Sequence, residues 1–96
     1  MASKNEAQVR RLELLLGQYD GLDHIWIRPW GKSLVLCSGD KDDRWDRARF
    51  TELGRDVWML SFPKRTSGWE KTPFVGPLDE VTDTLVSNFG WHLEPL

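Results

Sequence analysis

The chain has 96 residues, with 13 basic and 15 acidic side chains and a formal net charge of −2. That length holds one domain, and contents of 40% hydrophobic and 29% charged residues exclude intrinsic disorder. The near-balance of charge excludes a chain that coats nucleic acid or an anionic membrane with its whole surface. No uncharged run approaches the ~20 residues of a membrane-spanning helix, and no apolar signal-peptide stretch follows Met1 to Glu6. A lone cysteine, Cys37, excludes an internal disulfide, so the expected setting is the cytoplasm.

The first predicted element is a helix. Ser3 and Glu6 have the spacing of a capping box, and Gln8, Val9, Leu12, Leu15, Leu16 and Tyr19 share one face, with Leu14 opposite. Gly17 or Asp20-Gly21 ends it. Four strands are expected next. His24 to Trp30 alternates Ile25 and Ile27 against Trp26 and Arg28, and Pro29 marks an edge or an end. Leu34 to Cys37 is apolar on both sides, as suits a central strand. Ser38 to Arg44 is polar and is expected to be a loop. Trp45 to Leu53 and Val57 to Phe62 form a hairpin about Gly54-Arg55-Asp56.

The hairpin register is open between two readings. A two-residue loop turns Trp58, Leu60 and Phe62 toward the arginines; a three-residue loop turns Val57 and Met59 there and buries the larger set, which favours it. Pro63 to Gly76 is expected to be a long loop. Gly76-Pro77 then opens a second helix with Pro77 at its first position, acidic Asp79 and Glu80 in its first turn, and an apolar stripe of Leu78, Val81, Leu85, Val86 and Phe89. Gly90 is placed just past its end, with Trp91 folding back on Val86 or Leu85. Trp91 to Leu96 is either a strand or a tucked tail.

The expected architecture is a single α+β domain over 1–96. It is a two-layer sandwich of a four-stranded, mainly antiparallel sheet with the N- and C-terminal helices on one face, in the order α-β-β-β-β-α. Its core is Leu12, Leu16, Ile25, Ile27, Leu36, Phe50, Val81, Leu85 and Phe89.

The other sheet face has no helix of its own, and the candidate functional residues fall there: Trp26, Arg28, Trp30, Val35, Arg47, Arg49 and Thr51. Six tryptophans are many for this length, each burying roughly 150–250 Å². Trp and Arg are the side chains that anchor protein interfaces, and they also stack bases and pair phosphates. A third reading is a solvated face with no partner, each Arg lying over a neighbouring Trp by cation–π contact. Lys64, Arg65, Trp69, Lys71 and Phe74 of the 63–76 loop form a second candidate set. They lack phosphate-loop spacing, and Trp69 and Phe74 suit plugs that pin the loop to the core.

Catalytic groups are scarce. Cys37 lies in an apolar strand, His24 and His92 stand in no motif, and no nucleophile, base and orienter can be grouped. Asp20, Asp23 and His24 lack a metal-ligand signature, and the acidic stretch from Asp40 carries Trp45 and Thr51 where a calcium loop needs Gly and Glu. No catalytic residue, metal or cofactor is therefore assigned. Residues 1–71 hold all 13 basic and 11 acidic groups; 72–96 hold four acidic and no basic ones.

The expected function is a small non-catalytic interaction domain. It would bind a protein partner, or a second copy as a homodimer, through the Trp/Arg sheet face and the 63–76 segment, without a membrane. One alternative is a single-stranded nucleic-acid binder on the same face; another is an enzyme with an unrecognised site.

Overall fold

Apolar side chains at the helical period form α1 (Lys4–Leu16), which buries Leu12 and Leu16 and rests Val9 and Leu15 against the same core. The computed structural model describes residues 4–95, so Ser3 of the expected capping box lies outside the described residues. After α1 come β1 (Trp26–Trp30), β2 (Ser33–Asp40), β3 (Asp43–Gly54), β4 (Val57–Pro63) and β5 (Trp69–Gly76). A second helix, α2 (Leu78–Asn88), and a 3-10 turn (Gly90–Leu93) complete the chain. The strands pair in chain order, each antiparallel to the next. Both helices cover one face, α1 against β1 and α2 against β4 and β5. The α+β sandwich is thus present with five strands where four were expected. Among the described residues no helix is long and apolar enough to cross a membrane.

The extra strand comes from the segment read as a loop over 63–76. Only 64–68 turn; β5 pairs with β4, and its register steps from Met59↔Val75 to Ser61↔Lys71. Thr72, Pro73 and Phe74 therefore stand opposite Leu60 alone. Pro73 has no N–H for a ladder, and a bulge on an edge strand is where it fits. Thr72 Oγ1 donates to the Leu60 carbonyl at 2.7 Å and fills the gap. The Ser38–Arg44 segment is likewise strand: β2 runs to Asp40, Lys41-Asp42 turns, and β3 begins at Asp43.

The β3–β4 turn settles the hairpin register. Glu52 pairs with Trp58 and Gly54 with Val57, which leaves Leu53 as an extra residue. Asp56 takes φ of 51°, in the left-handed region that Asp tolerates better than most residues. A two-residue turn plus a bulge thereby has the outcome assigned to a three-residue loop. Trp58 and Leu60 join Phe50, Leu34, Leu36, Leu78, Val81, Leu85 and Leu93 under the helices. Ile25, Ile27 and Phe89, expected in the core, are half-buried at its margin.

Gly90 lies just past the Phe89 C-cap of α2, as expected. Two corrections concern the C-terminal part. Pro77 is the N-cap of α2, not its first residue. The 3-10 turn drives Leu93 into the core, and Trp91 stays exposed, edge-on to Phe89 at 5.4 Å, not folded on Val86 or Leu85.

One side chain ties the layers together. Asp56 Oδ1 accepts from Arg11 Nη1 of α1 at 2.7 Å, Trp58 Nε1 of β4 at 3.3 Å and the Leu78 N–H of α2 at 3.3 Å, while Oδ2 accepts from Arg11 Nη2 at 3.3 Å. The Arg11 hydrogen bond, with help from the Leu78 amide and Trp58, holds the Asp56 carboxyl below its ordinary range against the opposing effect of burial. Asp56→Ala removes a helix-end acceptor, a loss worth about 1 kcal/mol, read by urea denaturation at neutral pH. Because the folded pKa is the lower one, the wild-type advantage is full above the unfolded value of about 3.9 and is lost as pH falls through the folded value. The wild-type and Asp56→Ala stabilities should converge in acid; a constant gap would refute this role.

Candidate interaction face

Alternation along paired strands writes the uncovered face out in rows. Arg28, Val35, Arg49, Ser61 and Lys71 are register partners from β1 to β5 and form one row across the whole sheet. Trp30, Ser33, Thr51, Met59 and Val75 form the next. Cations thus come from alternate strands, β1, β3 and β5, about 10 Å apart at ~4.8 Å per strand.

Arg49 is the centre of this face. Its guanidinium carbon lies 4.8 Å from the ring centre of Trp30 and 5.5 Å from that of Trp69, and Nε donates to Ser33 Oγ at 2.8 Å. Arg28 lies 5.5 Å from Trp30. Ser33 Oγ and Thr51 Oγ1 are 3.2 Å apart and share a hydrogen bond. Guanidinium groups lying on indole faces gain cation–π energy and cover apolar surface with their stems. Val35, between Arg28 and Arg49 in its row, is 0% exposed and Cys37 0%, with both helices packed on the opposite face.

Among the described residues no carboxylate pairs with Arg49. Arg28 Nη2 is 3.9 Å from Asp46 Oδ1, and Arg44 Nε is 3.4 Å from the same atom. Cys37 Sγ donates to Asp46 Oδ1 at 3.4 Å.

The structure brings together Arg28, Trp30, Arg49 and Thr51 with Trp69 and Lys71, the last two from the segment read as a separate loop. Trp26 is half-buried at the margin, its Nε1 donating to the Gly39 carbonyl at 2.9 Å. Val35 belongs to the same row but is sealed, so it supports the face without reaching a partner.

Arg47 does not belong to this face. Leu36 pairs with Ala48 and Cys37 with Asp46, so Arg47 is the extra residue of a bulge and turns to the helix side. Its Nε donates to Ser38 Oγ at 2.9 Å, and Nη1 to the carbonyls of His92 at 2.9 Å and Glu94 at 2.8 Å. Lys64 and Arg65 are exposed in the β4–β5 turn. Phe74 points to the opposite face, edge-on to Phe89 at 5.5 Å.

An aromatic cluster went unanticipated. His92 stacks on Phe62 at 4.1 Å, Phe62 meets Phe89 at 5.1 Å, and Trp91 continues the group outward. Helical spacing marked Phe89 as core and gave no hint that a 3-10 turn would return His92 to it. No protein-family model, curated protein or solved structure matches this chain.

Burial, with Asp46 adding to it, pushes the Cys37 thiol up to about 11. A thiol reagent at pH 8 should therefore label Cys37 only at the rate at which the native sheet opens, and denaturant should raise that rate steeply. Labelling of the native protein as fast as a free thiol would show that the Arg/Trp cover is not closed.

Proposed function

We propose that this chain is a non-catalytic interaction domain that docks an acidic segment of a protein partner on the Arg28/Trp30/Arg49/Lys71 face, in a reducing compartment such as the cytoplasm. The observation that carries the reading is Arg49. It is held rigid between Trp30 and Trp69 and by Ser33, and no carboxylate of the described residues pairs with it. A pre-positioned guanidinium loses little freedom on binding, and its planar fork suits a carboxylate from outside. Trp30, 51% exposed, supplies the apolar anchor beside it.

Charge also chooses among the occupants. A symmetric dimer through this face would set Arg28, Arg49 and Lys71 against their own copies, and like charges across an interface cost affinity. A single-stranded nucleic acid would need free indole faces, yet the Trp30 ring already has two guanidiniums over it and Trp69 has one. An acidic peptide needs only the outward edges of the guanidiniums.

A twelve-residue Glu/Leu peptide and a twelve-nucleotide oligo-dT, each titrated against the protein in low and in moderate salt, test this. The peptide should bind the more tightly and weaken with salt, and Arg49→Met, which keeps the length of the stem, should weaken it about tenfold. Tighter binding of the oligonucleotide transfers the face to nucleic acid. Absence of binding by either probe, or a concentration-dependent dimer lost in Arg49→Met, overturns the proposal.

A further inference from the structure

The bulge that removes Arg47 from the open face delivers it to a cleft on the other side. The cleft is lined by His24, Ser38, Gly39, Trp45, Arg47 and Pro95 and has a volume of about 290 Å³. Arg47 is 8% exposed. Its three hydrogen bonds go to neutral oxygens, those of Ser38, His92 and Glu94, and Nη2 is shut from water with no hydrogen-bond partner among the described residues. No carboxylate of the described residues pairs with it. Taking a guanidinium out of water costs several kcal/mol unless an anion repays it, so a cation this buried that meets only dipoles among the described residues is unusual. Its charge is felt nearby: burial first, and then Arg47, hold the His92 pKa below its ordinary value.

The rest of the cleft is built for something apolar. Trp45, 59% exposed, forms one wall. Gly39 takes φ of 83°, and a Cβ there would stand 3.0 Å from the Asp43 carbonyl and 3.6 Å from Trp45 Cδ1. A side chain at 39 would therefore press on the Asp43 carbonyl, with the indole at ordinary contact distance. His24 Nε2 donates to the Leu93 carbonyl at 2.6 Å, which fixes the ring at the wall by its far nitrogen.

We infer that this cleft binds a small organic carboxylate, its charge on Arg47 and its apolar body against Trp45. Glu94 and Pro95 are exposed and follow the last helical turn. A carboxylate is a stronger acceptor for a guanidinium than the Glu94 carbonyl, so the ligand exchanges with that bond at Nη1. The volume suits an acid of the size of phenylacetate, smaller than a drug-sized ligand. The same chemistry is presented by a free aromatic acid and by the C-terminal carboxylate of a peptide ending in an aromatic residue.

Titration of the full chain, followed by amide and indole NMR shifts, separates these and tests the whole. The probes are phenylacetate, the tripeptide N-acetyl-Gly-Gly-Phe with a free carboxylate, and neutral phenylacetamide. At least one acid should give saturating shifts at Gly39, Glu94 and the Trp45 indole with a Kd of about 1 mM or tighter, and the tighter of the two names the source. Phenylacetamide should bind about tenfold or more weakly, because it leaves the guanidinium without an anion. Trp45→Ala, on an exposed side chain, keeps the fold and should weaken the acid about threefold or more. The inference is overturned by shifts that stay linear in acid concentration, by equal affinity for acid and amide, or by saturating shifts centred on Trp30 and Trp69 instead.

Discussion

The Asp56 carboxylate fixes where both helices stand on the sheet. It sits in the turn between β3 and β4, yet it holds Arg11 of α1 and the first amide of α2 on a single carboxyl group. A helix begins with amides that have no partner of their own, and Pro77 offers no side-chain oxygen to the one at Leu78. The turn supplies it from across the chain. The left-handed backbone at Asp56 aims the side chain at the helices, and the same turn puts Trp58 beneath them, where its indole N–H is a further donor to Asp56. Turn geometry, strand register and helix position are therefore one constraint. Farther along, Tyr19, three residues past α1, donates to Asp83 of α2, and Gln8 of α1 donates to Glu52 of β3.

With both helices committed to one face, the other has to close by itself. It does so with amphipathic side chains in place of a third layer. The stems and planes of Arg28 and Arg49 lie on Trp30, and Trp69 reaches Arg49 from β5, which leaves Val35 and Cys37 dry. Such a cover is thin and polar on its outside, and it leaves the Trp30 indole 51% exposed beside the charge.

How far the sequence could be read follows from what each signal depends on. Periodicity located both helices, the apolar β2 and the Trp/Arg face, because these patterns depend on neighbours only one turn or one pleat away. The volume to be buried favoured Trp58 and Leu60 under the helices without deciding the register, which the turn reaches by a bulge at Leu53. Periodicity could not find β5, since Pro73 interrupts the alternation and only the pairing to Leu60 shows the interruption to be a bulge. Arg47 was misplaced for the same reason. Spacing by two from Arg49 puts it on the open face, and the one-residue step opposite Leu36 and Cys37 reverses it. Bulges are properties of two strands together, so a single strand's sequence does not announce them.

The edges of the sheet narrow the ways in which this domain can meet another molecule. β1 ends the sheet on one side and carries Pro29; β5 ends it on the other and carries Pro73 within its bulge. Each proline removes a donor that an added strand would need, so neither edge is a good template for strand addition. Contact by edge pairing is thereby disfavoured, and the broad surfaces remain. Those surfaces differ in charge. The cation row crosses the open face, whereas 72–96, which supply α2, bear four carboxylates and no Lys or Arg. A partner that is acidic is drawn to the first and repelled by the second, so the charge distribution orients the encounter before any side chain is in contact.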